Sequence, residues 1–178
     1  KTIMAPKFTF TRSTVIPGLV KIEYDKFEDH RGLLWSSFVE KEFSETLDIP
    51  LIFNHDKFAL NKKNVLRGIH GDFSSWKYVT VLAGEIFQVF VDNRKNSPSF
   101  MKFESTKIRP EFLVGYLIPP GVGNGFLSLE ENTLYNYKLA YDGEYKDYDE
   151  QFTIGWNDAR VGIEWPINDP VLSERDAT

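Results

Sequence analysis

The feature that most constrains this chain is the run from Lys77 to Asp92, KYVTVLAGEIFQVFVD, in which two β-rich stretches flank Gly84-Glu85. Val79 and Val81, then Phe87, Val89 and Val91, alternate with Thr80, Gln88 and Phe90, a period of two that suits strands and not helices. The glycine between them predicts a hairpin. Similar stretches recur at LVKIEY (19–24) and LYNYKLAYD (134–142), and NSPSF, IPPGVGNG and WPINDP supply corners, with GVGNG read as a turn. Helical spacing is convincing only in VEKEFSETL (39–47), where Phe43 and Leu47 lie one turn apart and Pro50 prevents continuation. Many short strands with one or two short helices predict an all-β jelly roll. At 178 residues, without repeat or linker, the chain reads as a single domain over 1–178. The stretch TRSTVIPGLVKIEYDKFEDHRGLLWSSF (11–38) alternates only weakly, so the N-terminal part, to about residue 50, is expected to contribute to a subunit interface.

Composition then removes several chemistries. A net charge of −5 argues against a nucleic-acid-binding surface, so any anionic ligand must be held by locally gathered cations. The absence of cysteine leaves no disulfide, no thiolate zinc site and no cysteine nucleophile, and fits a reducing cytoplasm. The first 25 residues hold no long apolar run, so neither a signal peptide nor a membrane span is expected. Jelly rolls of the cupin type often hold a metal through His-x-His, but the three histidines here, His30, His55 and His70, are widely separated, and no metal is expected. No P-loop and no G-x-S-x-G pattern is present.

Acid–base chemistry remains. An unperturbed imidazole such as that of His70, in NVLRGIHGDFSSWK (64–77), titrates near neutrality and suits proton abstraction if a carboxylate orients it; taken alone, the residue reads first as a hydrogen-bonded strand histidine. Lys77 reads as an exposed strand-edge charge or as a cation for an enolate oxygen. Tyr135, Tyr137 and Tyr141 share one strand face, either as packing or with one of them donating a proton.

Taken in order, VLRGIH, a following lysine, GEIFQVFVDNRKNSPSF, IPPGVGNGF, YNYKLAYDGEY, FTIGWNDARVGIEWP and LSERD resemble the dTDP-4-dehydrorhamnose 3,5-epimerase family over residues 15–177. The resemblance implies a cofactor-free, cupin-like jelly-roll homodimer that inverts carbons beside the keto group of a nucleotide-diphosphate sugar. It implies His70 as general base, Asp176 as its orienting partner, Lys77 beside the enolate oxygen and Tyr137 as proton donor. Arg67 and Arg31 match arginines that contact the diphosphate, the latter reaching in from the neighbouring subunit. On a regular strand Arg67 and His70 would point to opposite faces, so an irregularity is expected at Gly68.

Several positions depart from the family's usual pattern. Gly71-Asp72 stand where Tyr-Gln is usual, Asn124 where many members carry histidine, Gln88 where aspartate is common, and His55 where glutamine is frequent. Asn124, His55 and Asp72 are therefore taken as substrate-binding candidates with an altered preference. The combined pattern looks closest to a branch acting on GDP-linked 4-keto-6-deoxy-heptoses for surface polysaccharide. A dTDP-4-keto-6-deoxy-hexose 3,5-epimerase, a 3,4-ketoisomerase or single-site 3-epimerase, and a non-catalytic sugar-binding jelly roll are the alternatives.

Overall fold

The computed structural model describes residues 5–50 and 52–178; residues 1–4, part of the N-terminal stretch considered above, lie outside the described residues. Its strands are β1 (Phe8–Arg12), β2 (Val20–Tyr24), β3 (Lys26–Asp29), β4 (Gly32–Trp35), β5 (His55–Asn61), β6 (Leu66–Gly71), β7 (Trp76–Ala83), β8 (Ile86–Asp92), β9 (Phe103–Ile108), β10 (Val114–Ile118), β11 (Val122–Ser128), β12 (Thr133–Ala140) and β13 (Phe152–Thr153). One α-helix, α1 (Glu40–Leu47), lies between β4 and β5. A six-stranded sheet in the order β1-β2-β10-β7-β12-β5 faces a five-stranded sheet in the order β13-β6-β11-β8-β9, and β3-β4 form a separate two-stranded ribbon. The strand pairings are antiparallel, and the architecture is a cupin-like β-sandwich of the jelly-roll kind.

Three apolar layers hold the sandwich. Between the sheets, Val79, Val81, Tyr116 and Tyr135 from one side meet Ile86, Phe90, Val122 and Phe126 from the other. On the far face of the six-stranded sheet, Phe43 and Leu47 of α1 close over Val20, Ile22, Tyr78 and Leu117. The helix forms where its i,i+4 apolar pair demands, and it ends at Asp48, in the left-handed region at φ 50°, before Pro50. The C-terminal segment covers the far face of the five-stranded sheet, setting Ile154 and Trp165 against Ile69, Val89 and Val91.

That third layer explains why the predicted hairpin is not one. β7 and β8 follow each other through Gly84 but enter opposite sheets, β7 between β10 and β12, β8 between β9 and β11. Phe90 belongs to the central layer while Val89 and Val91 belong to the outer one, so both faces of β8 are buried and its pattern cannot reveal its partners. GVGNG is likewise a strand: the turn is Pro119–Gly121, and β11 already runs from Val122. Its glycines are needed for close approach, because a Cβ at Gly123 would lie 2.6 Å from Ile69 Cγ2 and one at Gly125 2.9 Å from Ile69 Cγ1. In the early segment, β1 and β2 pair within this chain's own sheet, and among the described residues only the β3-β4 ribbon stands outside both sheets.

Candidate active site

A cavity of about 640 Å³ opens between the sheets, and His70, Lys77, Tyr137, Arg67, Asn124 and Asp176 all line it. They come from β6, β7, β12 and β11, with the C-terminal tail as one wall. The tail is fastened by backbone pairing: Leu66 N–H donates to Val171 O at 3.0 Å and Val171 N–H to Asn64 O at 2.8 Å. Five residues beyond Val65 and five beyond Val171, which bridge each other, His70 and Asp176 meet.

The expected irregularity lies at Gly68. Asn124 pairs with His70 but Phe126 with Arg67, a register shift that breaks strand parity and lets Arg67 and His70 line one cavity. Gly68 sits at φ +123°, and a Cβ there would lie 2.6 Å from both Asn124 O and Gly125 Cα, so only glycine fits.

His70 Nε2 lies 2.5 Å from Asp176 Oδ1, and Asp176 Oδ2 accepts the Gly68 N–H at 3.2 Å. Arg175 Nη2 lies 3.0 Å from His70 Nδ1. A guanidinium can only donate, so Nδ1 carries the lone pair and Nε2–H donates to the carboxylate. Burial lowers the His70 pKa; the hydrogen bond and charge of Asp176 oppose this, and the Arg175 and Lys77 charges reinforce it. Burial pushes the Asp176 pKa up, but the His70 hydrogen bond, the Gly68 N–H and Arg175 together hold it below the usual aspartate value. At neutral pH the pair is thus a neutral imidazole against an ionised carboxylate, with Nδ1 as a base covered by Arg175.

Lys77 is only 8% exposed, and its ammonium makes no hydrogen bond or ion pair among the described residues. Burial lowers its pKa to about 8, Asp72 opposing and Lys57 and Arg175 adding to the fall. Tyr137 packs edge-on against Tyr135, with Lys57 Nζ 5.5 Å from its ring centre. Burial raises its pKa, with Arg67 opposing, so its hydroxyl stays protonated throughout the neutral range. Arg67 Nε donates to Asn61 Oδ1 at 2.6 Å, which holds the guanidinium at the cavity wall. A base, an acid, a cation and an arginine around one cavity can remove a proton from a carbon acid, hold the resulting oxyanion and return a proton from another group.

Three candidates lie elsewhere. Asp72 is turned onto its own loop, where Oδ1 accepts the N–H groups of Ser74 at 2.8 Å and Ser75 at 2.7 Å, so it shapes the β6-β7 turn and not the cavity wall. His55 bonds Tyr141 through Nδ1 at 2.8 Å and packs edge-on against Tyr145; it backs the wall without lining it. Arg31, at the end of the β3-β4 ribbon, is exposed and paired with Asp29, outside this chain's cavity. Conversely, Arg175, Lys57 and Tyr145 line the cavity unforeseen, Lys57 donating to the Tyr145 hydroxyl at 2.9 Å. Only Arg175 carried a signal, its place beside Asp176 in LSERD. Among the described residues no group of three or more His, Asp or Glu is placed to hold a metal ion, and no helix is long and apolar enough to cross a membrane.

Comparison with known proteins gives one family. The profile described as dTDP-4-dehydrorhamnose 3,5-epimerase matches residues 13–178. The protein of that name from Salmonella typhimurium is 36% identical over 168 residues, covering 92% of this chain and 90% of the relative. The dTDP-6-deoxy-D-glucose-3,5-epimerase of Legionella pneumophila, solved in complex with dTDP-4-keto-L-rhamnose, superposes with a TM-score of 0.88 at 33% identity, covering 96% of this chain and 90% of that one. A 3'-monoepimerase from Streptomyces bikiniensis, solved with dTDP-quinovose, has a TM-score of 0.84 at 26% identity, with 94% and 85% covered.

Proposed function

The chain belongs to the dTDP-4-dehydrorhamnose 3,5-epimerase family, and from that premise we propose that it inverts C3 and C5 of a dTDP-linked 4-keto-6-deoxy-hexose without a cofactor, in a route to surface polysaccharide. The observation that carries the reading is the His70–Asp176 pair set in one cavity with Lys77 and Tyr137. The keto group acidifies the neighbouring C–H. His70 Nδ1, once Arg175 gives up its hydrogen bond, takes that proton; the C–H electron pair becomes the enolate double bond and the carbonyl oxygen becomes an oxyanion beside the Lys77 ammonium. Tyr137 then protonates the same carbon on the opposite face, and solvent restores the tyrosine and removes the proton from the imidazolium. Arg67 and Arg175 are placed to receive the diphosphate, which gives Arg175 a reason to leave the base when substrate arrives.

The similar proteins described above are named for dTDP-linked substrates, so thymidine-linked hexose takes precedence over the GDP-linked heptose that the sequence pattern suggested. The protein works as a homodimer in this reading. The β3-β4 ribbon leaves Leu33, Leu34 and Trp35 exposed, 47%, 63% and 40% respectively, and a second copy would cover them while receiving Arg31 at its own cavity.

The test is turnover in deuterium oxide on a panel of dTDP- and GDP-linked 4-keto-6-deoxy sugars, followed by NMR. Solvent deuterium should enter C3 and C5 of the dTDP-hexose. Exchange at C3 alone would make this a monoepimerase, exchange only with GDP-heptose would reinstate the first expectation, and no exchange with any member would end the epimerase reading.

A further inference from the structure

Behind Asn124 lies a buried polar chain that none of the proposed chemical steps uses. Tyr135 is fully buried, and its hydroxyl donates to Gln88 Oε1 at 2.7 Å. Gln88, also fully buried, directs Nε2 at three oxygens: Asn124 Oδ1 at 2.5 Å, Gly125 O at 3.1 Å and Val89 O at 3.3 Å.

These contacts settle which way each amide points. Backbone carbonyls can only accept, so the group of Gln88 facing Gly125 and Val89 is its NH2, and the group facing Tyr135 is its carbonyl. The NH2 in turn needs an acceptor at Asn124, so Asn124 presents Oδ1 to Gln88. Asn124 Nδ2 is then left without a partner among the described residues, on a side chain that lines the cavity. Asn124 and His70 are directly paired across β11 and β6, so their side chains lie on one face and as neighbours.

We infer that Gln88 and Tyr135 are positioning residues that lock Asn124 as a hydrogen-bond donor beside the base, making this wall selective for a sugar oxygen that accepts. A ketone or hydroxyl oxygen next to the reacting carbon satisfies it; a group that only donates does not. Unlike an imidazole, the amide keeps this polarity at any pH from acid to alkaline. The inference rests on the reading that the cavity holds the keto sugar.

The test is a double-mutant cycle read by calorimetric affinity for the dTDP-linked 4-keto-6-deoxy-hexose, with kcat measured alongside. Asn124→Ala should weaken binding roughly tenfold, the loss of one well-placed hydrogen bond. Gln88→Met, which keeps length and volume, should weaken binding about fivefold with a smaller effect on kcat, because Asn124 is then free to turn over. Adding Gln88→Met to Asn124→Ala should change the affinity no further, whereas a merely structural role would persist in that background. Tyr135→Phe retains the ring stacked on Phe126 at 4.1 Å and should reproduce a weaker form of the Gln88→Met effect, which covers the case of a Gln88 variant that does not fold. Independent, additive losses, or unaltered affinity in both Gln88→Met and Tyr135→Phe, would overturn the inference. A wild type that binds this sugar but exchanges no deuterium would end the epimerase reading while leaving the cycle interpretable; a wild type that does not bind it would end both.

Discussion

Lys77 makes the reaction's alkaline limit calculable. Burial brings its pKa from 10.5 to about 8, so the ammonium proposed to face the enolate is lost within an accessible range. The other groups around it are Asp72, which favours the charge, and Lys57 and Arg175, which oppose it. His70 sets the acid side: its pKa lies below 6.5, with Asp176 favouring and Arg175 and Lys77 opposing protonation, and the base is free only above that value. The expected kcat/KM profile for deuterium incorporation is a bell with its acid limb below 6.5 and its alkaline limb near 8. Beyond the alkaline limb the charged fraction, and with it the rate, should fall about tenfold per pH unit. Tyr137 does not interfere, because burial raises its pKa. Initial rates by NMR from pH 5 to 10, against enzyme-free blanks, measure the profile. Lys77→Arg keeps the charge at every pH used, so any activity it retains should show no alkaline limb. A wild-type rate that stays flat to pH 9.5, or a limb near 8 that persists unchanged in Lys77→Arg, would remove Lys77 from the enolate.

The same burial predicts a trade of stability against activity. The unfolded chain holds the Lys77 proton more tightly between pH 8 and 10.5, so stability climbs with pH across that window, and below it the buried charge costs the fold roughly 3 kcal/mol. Lys77→Met should therefore abolish exchange yet raise the urea-unfolding free energy at pH 7 by roughly 1–3 kcal/mol; a destabilised variant contradicts the account. Asp176→Asn removes the group that raises the His70 pKa, so the acid limb should move to lower pH while kcat falls by about 10²–10⁴. Tyr137→Phe should still admit deuterium with retained configuration, since His70 can return what it removes, while net inversion falls at least about a hundredfold, as the ratio of exchange to epimerised product will show. Gly68→Ala combines a positive φ with two backbone clashes at 2.6 Å, and should lose roughly 3 kcal/mol or more in chemical denaturation.

Local physics made much of the fold readable. α1 was legible from Phe43, Leu47 and Pro50, because an amphipathic helix stopped by proline depends on few distant contacts. β2 was legible because Val20, Ile22 and Tyr24 are buried while Lys21 and Glu23 are exposed. The partners of β7 and β8 were not, since covering both faces of β8 erases the alternation that would tell inside from outside. Residue types and order pointed to the cavity residues His70, Lys77, Tyr137 and Asp176, but the contact of His70 with Asp176 depends on a tail that pairs with Asn64 and Leu66 from over a hundred residues away. Asp72 and His55 misled because polar residues near a site in sequence can be spent locally, one on the Ser74-Ser75 turn and the other on Tyr141.

In the sequence, Asn124 and Gln88 were two unrelated departures, one where histidine is usual in the family and one where aspartate is common. In three dimensions they are hydrogen-bonded at 2.5 Å, so they amount to one change, from a pair that can titrate to a pair that cannot. A histidine at position 124 would stand directly across from His70 and would itself gain and lose a proton in the working range. With an amide there, that further titrating group is absent, and the bell-shaped profile expected of the proposed reaction rests on His70 and Lys77. Reversal through the double variant Gln88→Asp with Asn124→His should therefore add a further titration to that profile, and a profile left with its original two limbs would mean that position 124 does not face the substrate.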